Sequence, residues 1–453
     1  MTRPDLARHV RCLMLGSFSF ECESGGNVPP SEFAEEQHES FENIIKYICD
    51  GRDQEPFWIG KAPFKEHWIL YLRQGSDDAK VALLLSLLPN LDTLYFEESY
   101  QPMITMFTVD LFNHDLYNHG HRTPRRCSAD IDMEVMRNVD NAFRQLRSIR
   151  SISTSHKFGY LCPQDLVPMV AIPGLRSLEI GRANGDWSNG GEDLSLLKWP
   201  FSSGWSSIER LSLMYCAGDT YFIKKVLRAP RALKEFHFSY GWSMTFYGRQ
   251  FNPKELACEL QRHANTLEVL SLDFEDDYGK TGWKKPDFTR SYLGDSLRGF
   301  NKLRILKSDQ QALLGLSYWE PATTGAVAGQ ADDWQIPPYG IPSLRECLPN
   351  SLEELTILTC DIRVMSALKR LSDARGREQT FPNLRKVHVE TAATTSYELR
   401  KGVKAENTLH LPLQMSCSDV QHRRREGTKK GNGSMSVLFG DGLVLEGTEW
   451  VYC

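Results

Sequence analysis

The sequence predicts an α/β solenoid, right-handed, with a parallel sheet on the concave face and helices on the convex face. Three observations predict it. A short apolar phrase, leucine, two variable residues, leucine, one residue, apolar, recurs along the chain; segments of helical period lie between its copies; and 453 residues exceed what one compact core can organise. A repeated unit of this kind buries its apolar face by stacking on its neighbours.

The clearest copies are Leu91-Asp92-Thr93-Leu94-Tyr95-Phe96, Leu175-Arg176-Ser177-Leu178-Glu179-Ile180, Ile208-Glu209-Arg210-Leu211-Ser212-Leu213 and Leu267-Glu268-Val269-Leu270-Ser271-Leu272. Leu233, Phe236 and Phe238 form another, as do Leu352, Leu355 and Ile357, and Leu384, Val387 and Val389. Weaker copies stand at Val10, Leu13 and Leu15, at Leu146 and Ile149, and at Leu303 and Leu306, giving about ten units. Most copies follow one another at about 25 to 36 residues, with wider intervals before Leu146 and Leu352. That exceeds the 20 to 29 residues of a compact leucine-rich repeat, so the excess goes into longer helices and insertions.

The helical half of the unit reads in the same way. Asp77 to Leu88 opens with two carboxylates, which suit a helix N-terminus, and stops at Pro89-Asn90, after which Leu91 starts a strand. Pro253 to Leu260 places a proline near a helix start with Leu256 and Leu260 on one face. Tyr221–Leu227, Tyr292–Leu297 and Val364–Leu371 repeat the scheme. Residues 1–409 therefore form the solenoid, interrupted by insertions near 102–130, 181–199 and 310–342, the last rich in Gly, Pro, Thr and Ala and read as a mobile loop. Residues 410–453 read as a polar linker with Arg423-Arg424-Arg425 and Lys429-Lys430, followed by a hairpin around Gly440-Asp441-Gly442.

Composition narrows the function. With 41% hydrophobic and 25% charged residues, the chain carries enough apolar side chains to fold. A net charge of −5 provides no general basic footprint for nucleic acid or an anionic membrane, and no apolar run approaches a bilayer span. No secretory leader is apparent in the opening residues. The eleven cysteines follow no zinc spacing, and Cys216, Cys258 and Cys360 lie beside apolar repeat residues, where a reduced thiol acts as a small hydrophobe in a cytoplasmic or nuclear protein.

Catalytic motifs are absent from the sequence: no phosphate-binding glycine loop, no Gly-x-Ser-x-Gly elbow, no His-Glu-x-x-His helix. A weak metal candidate is His114, His119, His121 and Cys127, whose side chains suit zinc but whose spacing fits no standard site. No cofactor is expected, and the reading is a non-enzymatic monomer whose partner is another protein.

Strand geometry supplies the candidate site, because alternate side chains face opposite ways and the residues between the leucines point outward on the concave side. That face is Tyr95, Glu97, Glu179, Arg210, Met214, Glu235, His237, Asp273, Glu354, Lys386 and His388, joined by Ser212, Val269, Ser271 and Thr356. Mixed charge with scattered aromatic and methionine side chains suits protein recognition. Trp187, Trp205, Trp242, Trp283 and Trp319 lie in connections, where any exposed ring is an anchor candidate.

The strand phrases, with Arg3-Pro4-Asp5-Leu6-Ala7-Arg8-His9-Val10-Arg11-Cys12-Leu13 and Leu84-Leu85-Ser86-Leu87-Leu88-Pro89-Asn90-Leu91, resemble the leucine-rich repeat region of filamentous-fungal F-box proteins over roughly residues 1–400. The resemblance implies a ribonuclease-inhibitor-like solenoid that holds the target of an SCF-type ubiquitin ligase, while an F-box docks the ligase adaptor. The opening of that helical module, Leu-Pro-x-Glu/Asp-hydrophobic, appears nowhere before Arg3. The adaptor is therefore expected as a partner only if an F-box lies upstream of Met1; otherwise the chain is a stand-alone adaptor, and a third reading is an enzyme or metal protein with its site in the 102–130 insertion.

Overall fold

The computed structural model describes residues 4–15, 35–49, 64–74, 77–98, 143, 145–153, 166, 169–170, 172–181, 203–216, 220–240, 253–274, 293–315, 343–360, 364–378, 380–391 and 413–416. The chain divides into two compact units, the first reaching Gly218 with a return at Lys225–Ala232, the second holding Asp219–Lys224 and everything from Leu233 onward.

In the first unit, strands β1 (Cys12–Leu15), β2 (Thr93–Glu98), β3 (Ser148–Ser153), β4 (Ser177–Gly181) and β5 (Arg210–Cys216) lie side by side in sequence order, each parallel to the next. Every one begins two residues after the first leucine or isoleucine of a phrase, or its valine in β1. The second leucines stack in register as Leu13, Leu94, Ile149, Leu178 and Leu211. Leu94, Ile149, Leu178 and Leu211 are buried, and each such side chain contributes roughly 1.5 to 3 kcal/mol by leaving water. β1 and β2 are neighbours although Leu91 lies 81 positions beyond Val10. That interval holds helices α2 (Glu35–Cys49), α3 (Phe64–Arg73) and α4 (Asp77–Ser86), after a short α1 (Pro4–Ala7). The helices pack in series, and the buried Trp68 of α3 donates its indole N–H to the Ala79 carbonyl of α4 at 2.9 Å. α4 unwinds through tight turns at Leu87, Leu88 and Leu91 into β2.

In the second unit, β6 (Glu235–Tyr240), β7 (Val269–Asp273), β8 (Ile305–Asp309), β9 (Glu354–Cys360), β10 (Lys386–Thr391) and β11 (Leu413–Ser416) are again parallel and in sequence order. Phe236, Leu270, Leu306, Leu355 and Val387 form one buried row, and Phe238, Leu272, Ser308, Ile357 and Val389 a second. Of the expected helices, Tyr221–Leu227 lies within α5 (Thr220–Arg228), which is divided between the two units, and the second unit holds α6 (Pro253–Leu260) and α9 (Val364–Glu378) where helices were expected. Tyr292–Leu297 gives a 3-10 turn at Gly294–Leu297 in place of a helix, and α7 (Gln310–Leu314), α8 (Leu344–Cys347) and a 3-10 turn at Gln261–His263 add to the expected set. The insertion expected from near Gln310 begins instead with α7, all five of whose residues are buried. Asp309 caps it by accepting the Ala312 N–H, and Gly315 closes it in the left-handed region at φ 67°.

One backbone device joins successive strands within each unit. The carbonyl of the residue after the first apolar position accepts two consecutive N–H groups of the next repeat: Arg11 from Asp92 and Thr93, Asp92 from Arg147 and Ser148, Arg147 from Arg176 and Ser177, Arg176 from Glu209 and Arg210. Lys234, Glu268, Arg304 and Glu353 do the same in the second unit, at 2.7 to 3.2 Å.

Strands β5 and β9 end alike. Tyr215 and Thr359 sit at φ 52° and 51°, and each is followed by a buried cysteine, Cys216 or Cys360. The Cys360 thiol donates to the Ile357 carbonyl at 3.3 Å. In both repeats the phrase extends to Leu/Ile-x-x-Leu-x-Leu/Ile-x-x-Cys, a longer signature than the one read from the sequence. Cys258 corrects the reading given to the three thiols together: it is exposed, because the period of α6 turns Leu256, Ala257 and Leu260 inward and leaves position 258 outside. Among the described residues no helix is long and apolar enough to cross a membrane.

Candidate protein-interaction face

The candidate residues fall into lateral rows fixed by strand register. In the first unit the central row runs Met14, Tyr95, Arg150, Glu179, Ser212. Met14 is 76% exposed, while Tyr95, Glu179 and Ser212 are half-buried. Arg150 Nε donates to Glu179 Oε1 at 3.1 Å across neighbouring strands, fixing two long side chains in the middle of the row. Arg210 is exposed one row toward the strand entrances, opposite Ser177. Met214 lies one row toward the strand exits, opposite Gly181. Glu97 pairs in register with Ile152, and its side chain is outside the described residues.

In the second unit the central row is His237, Ser271, Lys307, Thr356 and His388, with Gln414 continuing it on β11. Adjacent strands are about 4.8 Å apart, so the five side chains from His237 to His388 span about 19 Å. Glu390 anchors one end: Lys307 Nζ and His388 Nε2 lie 3.9 and 3.6 Å from its Oε1. The entrance-side row is Glu235, Val269, Ile305, Glu354, Lys386, of which Ile305, Glu354 and Lys386 are exposed. Asp273 stands in the exit-side row, opposite Ser239.

The exit-side row also holds a carboxyl that sequence reading missed. Asp309 is almost wholly buried, and removal from water pushes its carboxyl up to about 7, with the nearby negative charge of Asp273 adding to the shift. The hydrogen bond from the Ala312 N–H opposes this without cancelling it. The signal available in the sequence was an aspartate directly before a short helical segment, the pattern of an N-cap.

The remaining candidates separate clearly. Trp205 is buried and is no surface anchor. Trp187, Trp242, Trp283, Trp319, the metal candidate His114, His119, His121 and Cys127, and the hairpin at 437–445 lie outside the described residues. Among the described residues no group of three or more His, Cys, Asp or Glu side chains is placed to hold a metal ion.

No protein-family profile and no curated protein matches the chain. Among solved structures, a leucine-rich-repeat protein of Leptospira interrogans is similar at 11% identity over 74% of each chain, with a TM-score of 0.22.

Proposed function

We propose that the chain is a non-catalytic protein-interaction scaffold, a right-handed leucine-rich-repeat solenoid that offers its partner the concave face of the sheet. The observation that carries this reading is the central row of the second unit. His237, Ser271, Lys307, Thr356 and His388 are held at strand spacing with their backbones locked in a parallel ladder, and they mix cationic, hydroxyl and imidazole groups. Such a row is preorganised and extended, which suits a polypeptide better than a small ligand needing a closed pocket. The Leu/Ile-x-x-Leu-x-Leu/Ile-x-x-Cys repeats with one strand each support the solenoid assignment.

A photo-crosslinking amino acid placed at Glu354, which is exposed on this face, tests the reading. A discrete adduct that is lost when Lys307 and Thr356 are replaced by Glu and Ala supports it; adducts unaffected by those changes refute it.

The phrases around Arg3 and Leu84 extend the proposal to the target-holding part of an SCF-type ligase receptor, cytoplasmic or nuclear. What supports that extension is the sequence resemblance alone. Titrating purified ligase adaptor against the natural full-length protein and against the repeats separates the cases. Association with the former and none with the latter makes the chain a receptor; association with neither leaves a stand-alone adaptor.

A further inference from the structure

Aligning the repeats on their first apolar residue brings out a second periodicity one position further on. Arg11, Asp92, Arg147, Arg176 and Glu209 occupy that position in the first unit, and Lys234, Glu268, Arg304, Glu353 and Arg385 in the second. Every one is charged. Within each unit the N–H of each donates to the carbonyl of the one before at 2.7 to 2.8 Å, so the side chains rise one above another along the strand entrances. In the second unit the signs alternate without a break, and Glu353 consequently bridges Arg304 and Arg385.

The first unit breaks the alternation at a single step, where Arg176 follows Arg147 directly. Like charges on neighbouring strands destabilise a sheet, so this junction retains a repulsion that the rest of the ladder avoids. Arg147 is exposed; its Nη1 donates to the Gly174 carbonyl at 2.9 Å, and among the described residues it makes no ion pair. Asp92, its ladder neighbour, accepts the Thr93 hydroxyl instead. Arg176 is 54% exposed, and its Nη1 is shared between Glu209 at 3.1 Å and the Ser207 carbonyl at 3.3 Å. The next residue in both repeats is a half-buried serine, Ser148 and Ser177, paired in register. Two repeats thus present the same Arg-Ser pair, one above the other: two planar guanidinium forks and two hydroxyls on one rim.

We propose that this Arg147–Arg176 step is a docking point for an acidic segment of a protein partner, whose carboxylate supplies the bridge that Glu353 provides internally between Arg304 and Arg385. A guanidinium binds a carboxylate through paired N–H donors, and the serine hydroxyls add neutral donors beside it. The choice of a carboxylate follows from the ladder, where every anion is Asp or Glu. The inference rests on the scaffold reading but names a different surface, the strand-entrance rim of the first unit.

Fluorescence anisotropy with a fluorescein-labelled hexaglutamate peptide at about 50 mM NaCl, where surface charges are weakly screened, tests it. Arg147→Gln and Arg176→Gln are each expected to weaken binding by roughly tenfold, and Arg385→Gln, an exposed position of the other unit's ladder, to leave it unchanged. Unaltered thermal melts for the variants exclude unfolding as the cause. The proposal is overturned by wild-type protein that does not bind the peptide, by variants that bind as well as wild type, or by an equal loss on Arg385→Gln. Displacement by inorganic phosphate, under conditions where acetate at matched ionic strength displaces nothing, overturns the assignment to carboxylates. Failure here leaves crosslinking from Glu354 intact, so the two readings fail separately.

Discussion

Arg304 holds Glu353 with two prongs, Nε to Oε1 at 2.7 Å and Nη2 to Oε2 at 3.2 Å, and Arg385 reaches the same Oε2 at 3.3 Å. The hydrogen bonds from Arg304, then its charge and that of Arg385, hold the Glu353 carboxyl below its ordinary value of 4.5, and Arg304 is raised in return. A depressed carboxyl stabilises the fold above its unfolded pKa, and that contribution disappears as pH falls through the folded value. Glu353 is half-buried but both its arginine partners are exposed, so the effect is small and salt-sensitive. Glu353→Gln is expected to lower the urea midpoint slightly at neutral pH and low salt, and not at all in about 1 M NaCl. An undiminished loss in high salt would show that Glu353 acts through packing.

Asp309 carries the opposite sign. Its carboxyl titrates near 7 in the folded protein against an ordinary 3.8, so the folded state binds the extra proton between those values. Stability therefore falls as pH rises through that window, by at most about 4 kcal/mol. Asp309→Asn keeps an oxygen for the Ala312 N–H and removes the titration. Urea unfolding at pH 5 and pH 8 should show wild type weaker at pH 8 and the variant nearly equal at both; a pH dependence surviving in the variant refutes the assignment.

Inward and outward residues of one strand should differ sharply. Phe238 is buried, with its ring centroid 6.3 Å from that of Phe236 and 5.9 Å from that of Phe274. Phe238→Ala is expected to cost about 3 to 5 kcal/mol. His237→Ala, one residue away on the outward row, should change stability by less than about 0.5 kcal/mol. Similar losses from both would contradict the register of β6.

Thr359 is β-branched and sits at φ 51°, where a side chain meets its own backbone. Thr359→Gly relieves a strain of about 1 to 2 kcal/mol and gives back about 0.5 to 1 in chain entropy. A net gain of up to about 1.5 kcal/mol in chemical unfolding is expected, and a loss would mean that the Thr359 side chain holds Cys360 in place.

The ten strands β1 to β10 were legible because the phrase itself is the physical requirement: two inward positions per strand, with a third at the turn. β11 was not. His410 stands where Leu384 opens the preceding phrase, so Leu413 and Met415 alone were too short a signal. Ser308 shows the converse limit. It occupies a fully buried apolar slot between Leu272 and Ile357, which no propensity at a single position foretells. The outward rows followed from alternation, whereas the burial of Asp309 depends on α7 folding back over β8 and β9. The charged ladder was present in every phrase, yet its one defect acquires meaning only when the strands are known to be neighbours.

The half-buried Leu13 has a kinetic counterpart. Its register partners Leu94 and Ile149 are sealed from solvent, while among the described residues β1 has one neighbouring strand and Met14 is almost bare. Opening β1 sacrifices little apolar contact, so local breathing starts at this margin and moves inward strand by strand, in the manner of a zip. Amide hydrogens of Cys12–Leu15 should exchange with deuterium well before those of β3 and β4, and limited proteolysis should shorten the first unit from this side.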